Sequence, residues 1–243
     1  MITIERLVKR FGRTPAVDGV SMRLPAGDSV ALWGSNGAGK STVIRCVLGL
    51  FRYGGSISIG GLDVRRDGKR TRRLVGYVPQ EIGFYDDLRV AEAVRFFARL
   101  KAVALPSVDE VLARVGLPGQ ERKRIRELSG GMKQRLALAV ALLGDPPVLL
   151  LDEVTASLDA FGREEFVALL ERLSGDGRTM LFASHRVDEV KALARRVITL
   201  EAGRIVDEQP VHDFRPALRR EHAIAGAIGS PRADSSPATE VRP

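Results

Sequence analysis

Apolar positions alternate at the start of the chain, with Ile2 and Ile4 in phase, and residues 2–8 and 20–24 are expected to form short strands. Val30–Trp33 is a continuous apolar strand, and the helical pattern Thr42–Leu50 follows it after a glycine-rich gap. Gly55, Gly60 and Gly61 punctuate a strand at Ser56–Ile59, and Leu74–Val78 is a further strand ending at Pro79 and Gln80. The period then becomes helical, because Val90, Val94, Phe97 and Leu100 share one face. Ser107 and Glu110 have capping-box spacing for a second helix running to Val115, stopped by Gly116 and Pro118. Residues 82–144 are thus expected to be a helical insertion. Val148–Leu151 is a run of four apolar residues, the pattern of a strand buried on both faces of a mostly parallel sheet, and Val30–Trp33 is expected beside it. Strands at Thr179–Ala183 and Val197–Glu201 alternate with helical patterns at 163–173 and 187–194, so the fold class is α/β. Composition shifts after Gln209. One domain is expected over 1–227, with a disordered tail at 228–243 that is rich in Pro, Ser, Ala and charge.

The 243 residues, 44% of them hydrophobic, suffice for a sizeable core. The longest apolar stretch, Leu136–Leu143, is far short of the roughly 18 residues that a membrane-crossing helix needs. The N-terminus shows no apolar signal-peptide core, so a cytoplasmic location is expected, and the single cysteine, Cys46, excludes an internal disulfide and reads as a small core residue. The net charge is +8, while residues 210–243 hold five Arg against four acids, so the excess lies in the body of the chain. Its densest cluster is Arg65, Arg66, Lys69, Arg70, Arg72 and Arg73. Such a patch suits anionic lipid headgroups or nucleic acid, but with 31 Arg to 7 Lys a solvated, arginine-biased surface is the favoured reading.

The chemistry is concentrated in short segments. GSNGAGKST at 34–42 fits the phosphate-binding loop: Gly34, Gly37 and Gly39 give backbone freedom, Lys40 a charge and Ser41 a hydroxyl for Mg²⁺. The loop lies between an apolar strand and a helix, where amides at the helix N-terminus point at phosphates. Asp152 and Glu153 end the apolar strand in VLLLDE, a costly place for two charges unless they meet a cation or a reacting group.

A phosphate loop alone leaves many families open. LSGGMKQR at 128–135 resembles the signature motif of ATP-binding cassette (ABC) ATPases, and the order and spacing of Lys40, Gln80, Ser129, Asp152 and His185 are ordinary for that family. The resemblance covers about residues 1–207. It implies a P-loop NTPase, RecA-like core carrying an antiparallel β-subdomain and an inserted α-helical subdomain, with ATP and Mg²⁺ as cofactors.

It also implies roles. Amides of Ser35, Asn36, Gly37, Ala38, Gly39, Lys40, Ser41 and Thr42 would hold the phosphates together with the Lys40 ammonium. Ser41 and Asp152 would ligate Mg²⁺, and Gln80 would sense the metal and the attacking water. Glu153 would polarise that water and His185 contact the γ-phosphate. Phe11 occupies the place of the aromatic that stacks on adenine, although a phenylalanine near a strand end is often core. Ser129, Gly130 and Gly131 would reach ATP held by a partner cassette, with Asp159 across the same interface.

Val154 stands where the family commonly has proline, Ala183 where serine is frequent, and Met132 where many importers have glutamine. Met-Lys-Gln-Arg and the segment from Gly76 to Lys101 resemble ABC-2-type exporter ATPases. The resemblance therefore implies an ATPase subunit on the cytoplasmic side of a membrane, powering export, or a related copper-site maturation system, through separate membrane-spanning permease subunits. Phe84, Tyr85 and Leu88 are the candidate contacts, and the second cassette is expected to be an identical chain. The alternatives are a soluble ABC ATPase acting on nucleic acid or the ribosome, and an accessory protein that binds ATP without turnover. Neither a long coiled coil nor a second cassette supports the former, so no nucleic acid partner is expected.

Overall fold

The computed structural model describes residues 1–104 and 107–216. The tail expected at 228–243 lies outside the described residues.

Two sheets organise the chain. β1 (Ile2–Phe11), β2 (Thr14–Leu24), β4 (Gly54–Ile59) and β5 (Leu62–Asp63) form an antiparallel sheet in the order β2-β1-β4-β5. The second sheet has the order β10-β9-β3-β8-β7-β6, from β3 (Ser29–Trp33), β6 (Val75–Val78), β7 (Val148–Asp152), β8 (Thr179–Ala183), β9 (Arg196–Glu201) and β10 (Arg204–Pro210). It is parallel except for β10, which pairs antiparallel at one edge.

Its strands feed two cores. Val30, Leu32, Leu150, Leu181 and Ile198 pack with the antiparallel sheet and with α1 (Lys40–Val47), whereas Ala31, Leu149, Leu151, Phe182 and Val197 face the opposite core. That second core is built with α3 (Val90–Lys101), α4 (Val108–Arg114), α5 (Gly130–Leu142), α6 (Ala160–Gly175) and α7 (Val187–Leu193). A strand wetted on neither face has no polar positions to alternate, which is why β7 and β8 read as unbroken apolar runs. The helices α3, α4 and α5 all fall between β6 and β7. Gly76 of β6 lets α5 lie directly on the sheet: a Cβ there would stand 2.6 Å from the Ala141 carbonyl oxygen.

Two local expectations are corrected, and one element is new. The phosphate-loop strand β3 does not lie beside β7, because β8 intervenes and pairs with both. All five residues of β8 are buried. Its two backbone edges therefore need strand partners on either side, which a central place supplies and an outer one does not. Ser107 precedes α4, but its side chain makes no capping hydrogen bond, so the capping box does not form. Asp109 and Glu110 in the first turn complement the helix dipole instead. The arginine cluster contains an unforeseen short helix, α2 (Gly68–Arg73), in which only Thr71 is buried.

Cys46 on α1 is fully buried, and desolvation pushes its thiol up to about 11. Folded protein at pH 8 is expected to resist iodoacetamide and to become alkylated once guanidinium is added; rapid labelling of the native state would contradict this burial.

Candidate functional site

The loop from Gly34 to Gly39 leaves the end of β3 and enters α1. Gly39 takes φ +105°, and a Cβ there would stand 2.5 Å from the Ala16 carbonyl oxygen, so glycine lets β2 close over the loop. α1 has no side-chain cap and no acid in its first turn, which leaves its leading amides for an anion. Lys40 is 4% exposed. Its ammonium donates to the Gly34 and Ser35 carbonyls at 2.9 and 3.0 Å and stands 3.3 Å from Glu153 Oε1. Beside it lies a cavity of about 250 Å³ lined by residues of this loop together with Ala16, Gln80 and Glu153. A cleft of about 280 Å³ between α4 and α5 is mostly apolar and holds none of the motif residues.

Asp152 ends β7 with no exposed surface. Its Oδ1 accepts from Ser41 Oγ at 2.6 Å, and its Oδ2 has no hydrogen-bond partner among the described residues. Burial pushes this carboxyl above its ordinary range, while the Ser41 hydroxyl and the Arg45 guanidinium, 3.9 Å away, pull against that. No group of three His, Cys, Asp or Glu that could hold a metal occurs among the described residues.

Glu153 adopts φ +48°, an uncommon conformation for a residue with a side chain. Its amide donates to the Ala183 carbonyl at 3.1 Å, extending the β7–β8 ladder by one bond. Its Oε2 accepts from Gln80 Nε2 at 3.4 Å and lies 3.6 Å from His185 Nδ1. The central place of β8 is what brings His185 here, between the loop after β3 and the carboxylates at the end of β7. Four of the sequence-derived residues, Lys40, Gln80, Glu153 and His185, thus converge on one point.

The remaining candidates lie apart from the cavity lining. Ser129 and Gly130 are exposed at the start of α5, where the Ser129 oxygen accepts from the Met132 amide at 3.2 Å. Asp159 caps α6 by accepting from the Gly162 amide at 2.7 Å. Phe11, near the tip of the β1–β2 hairpin, is half exposed, edge-on to Phe51 at 5.3 Å and beneath the Lys9 ammonium at 4.8 Å. Phe84 and Leu88 pack partly into the helical core, while Tyr85 stays exposed. Arg45 was not singled out from the sequence. The available signal is its place four residues after Ser41, on the same face of α1.

The phosphate loop, the carboxylates closing an apolar strand and the separate SGG segment together define a nucleotide-binding cassette. The pattern of the ABC transporter family matches residues 17–156, and the chain belongs to that family. It is an ATP-binding, ATP-hydrolysing subunit. Among its relatives, the linearmycin resistance ATP-binding protein LnrL of Bacillus subtilis is 33% identical over 211 residues, 85% of this chain and 68% of its own. The daunorubicin resistance ATP-binding protein DrrA3 of Streptomyces coeruleorubidus is 36% identical, covering 88% and 69%. The methionine import ATP-binding protein MetN of Mesorhizobium japonicum is 37% identical, covering 87% and 60%. A solved dimeric ATP-binding cassette in a post-hydrolysis state bound to ADP and Pi superposes with a TM-score of 0.79 at 26% identity, over 88% of this chain and 100% of that one.

Proposed function

We propose that this chain hydrolyses Mg²⁺-ATP in sites shared by two identical cassettes and drives export through separate membrane-spanning subunits, working at the cytoplasmic face of the membrane. The observation that carries the reading is that Lys40, Gln80 and Glu153 line the phosphate-loop cavity, with His185 3.6 Å from Glu153, while Ser129, Gly130, Gly131 and Asp159 lie on other surfaces. One cassette holds ATP and a second completes the site. That the solved cassette resembling this chain is dimeric supports the pairing.

Amides of Ser35 to Thr42 and the Lys40 ammonium bind the phosphates, and the half-exposed Phe11 stacks on the base. Asp152, whose Oδ2 accepts no hydrogen bond among the described residues, and the Ser41 hydroxyl would hold a hard divalent cation. Bound Mg²⁺ would neutralise charge on the β- and γ-phosphate oxygens. Glu153 takes the proton of the attacking water as its oxygen bonds to the γ-phosphorus and the bond to the bridging oxygen breaks, releasing ADP. Gln80 orients that water and His185 donates to the γ-phosphate. Ser129, Gly130 and Gly131 close on the γ-phosphate of the partner's ATP.

Export is favoured over import by Met132-Lys133-Gln134-Arg135 and by the names of LnrL and DrrA3; the importer MetN is the counter-example. No helix among the described residues is long and apolar enough to cross a membrane, and on this reading the conducting path belongs to the membrane-spanning subunits. Exposed Tyr85, Phe96 and Leu100 offer them an apolar contact. Tagged chain purified from gently solubilised membranes of its native host is expected to bring a multi-spanning protein in near-equal amount. Recovery with ribosomes or nucleic acid, lost at high salt, would overturn the assignment.

A further inference from the structure

Glu189, in the first turn of α7, is 4% exposed, and its carboxylate has two hydroxyl partners on different segments. Thr155 Oγ1 donates to its Oε1 and Ser184 Oγ donates to its Oε2 at 2.7 Å. Thr155 and Ser184 are themselves buried. Ser184 Oγ also accepts from the Arg186 amide at 3.0 Å, so its proton is left to point at Glu189. Thr155 lies two residues after Glu153, and Ser184 immediately precedes His185.

The position of this bridge matters. The β7–β8 register ends at Asp152 and Ala183, with one further bond from the Glu153 amide, and beyond it the two segments separate. The segment leading to His185 stays bonded to β3, since the Ser184 amide donates to the Leu32 carbonyl at 3.3 Å. Burying a carboxylate is costly, and burial does push this carboxyl above its ordinary range. An apolar side chain would fill the space more cheaply but would tie nothing together.

We propose that Glu189 is a positioning residue for hydrolysis, its carboxylate clamping the segment that carries Glu153 to the segment that carries His185. The inference rests on the reading of those two residues as the water-activating base and the γ-phosphate contact. Glu189 does not line the phosphate-loop cavity; it sets the 3.6 Å spacing between His185 Nδ1 and Glu153 Oε2. Misplacement of reacting groups by about 1 Å costs up to about 100-fold in rate.

Glu189→Gln keeps the shape, but its amide nitrogen accepts no hydrogen bond, so one of the two hydroxyls is released. In the full chain, with phosphate release from ATP as the assay, kcat is expected to fall about 10- to 100-fold while the Kd for ATP stays within about threefold. The melting temperature should remain close to wild type. Ser184→Ala, which leaves the carboxylate and Thr155 in place, should lower kcat in the same direction and guards against a Glu189→Gln protein that misfolds. Thr155→Val combined with Glu189→Gln should lose little more than the single change, because both break one bridge. Unchanged kcat, fully additive losses, or a Kd and melting temperature that decline in step with kcat would overturn the clamp. Glu153→Gln and His185→Ala in the same assay report on the underlying site: full activity in either would sink that reading and the clamp with it.

Discussion

Glu153→Gln is expected to lower ATP turnover by about 10²- to 10⁴-fold, the range a positioned general base supplies, while nucleotide still binds. The argument is geometric. Glu153 is the carboxylate on the cavity wall, held by φ +48° and by contacts to Lys40, Gln80 and His185. Glutamine keeps the size and one acceptor oxygen but has no basic site for a proton. On the proposed reading the loop amides and Lys40 hold the phosphates, so the Kd for ATP should move by much less than kcat. Retained ATP should also accumulate the paired form, seen as an ATP-dependent dimer in gel filtration. Turnover above about a tenth of wild type would mean that the water is activated by another group.

Much of this site was legible because its parts sit at the ends of strands whose apolar runs are unmistakable. Val30–Trp33 leads into the phosphate loop, and Val148–Leu151 leads to Asp152 and Glu153, so motif and element confirm each other. Neighbour order was not legible. Periodicity reports how many faces of a strand are buried and not which strand lies beside it, and the intercalation of β8 escaped for that reason. β10 and α2 were missed on similar grounds: an edge strand with an exposed face and an arginine-rich six-residue helix carry too little apolar period to register. Arg45 and Glu189 act through partners more than 100 residues away in one case and across two strand ends in the other, contacts that pattern alone does not encode. The capping box at Ser107 fails because the motif records a capacity for hydrogen bonding, and the dipole can be met by Asp109 and Glu110 without it.

Lys40→Ala should weaken by about one to two orders of magnitude the binding that Glu153→Gln preserves. In the structure the ammonium is already turned inward, shared among two loop carbonyls and Glu153, with its side chain 3% exposed. ATP would meet a positive group whose desolvation has been met in folding, so little of its attraction for phosphate is spent at the moment of binding. Losing a charge-assisted contact of this kind costs about 1.5–3 kcal/mol, which alone weakens binding about 10- to 150-fold. The loss should reach the upper end, because Glu153 would then stand beside the phosphates without its counter-charge. Lys40→Arg is expected to fare little better, since a planar guanidinium does not fit a cradle shaped by the Gly34 and Ser35 carbonyls. Titration of a fluorescent ATP analogue at constant ionic strength checks this. A Kd within threefold of wild type for Lys40→Ala would show that the loop amides suffice, and the phosphate-binding role of Lys40 would be withdrawn.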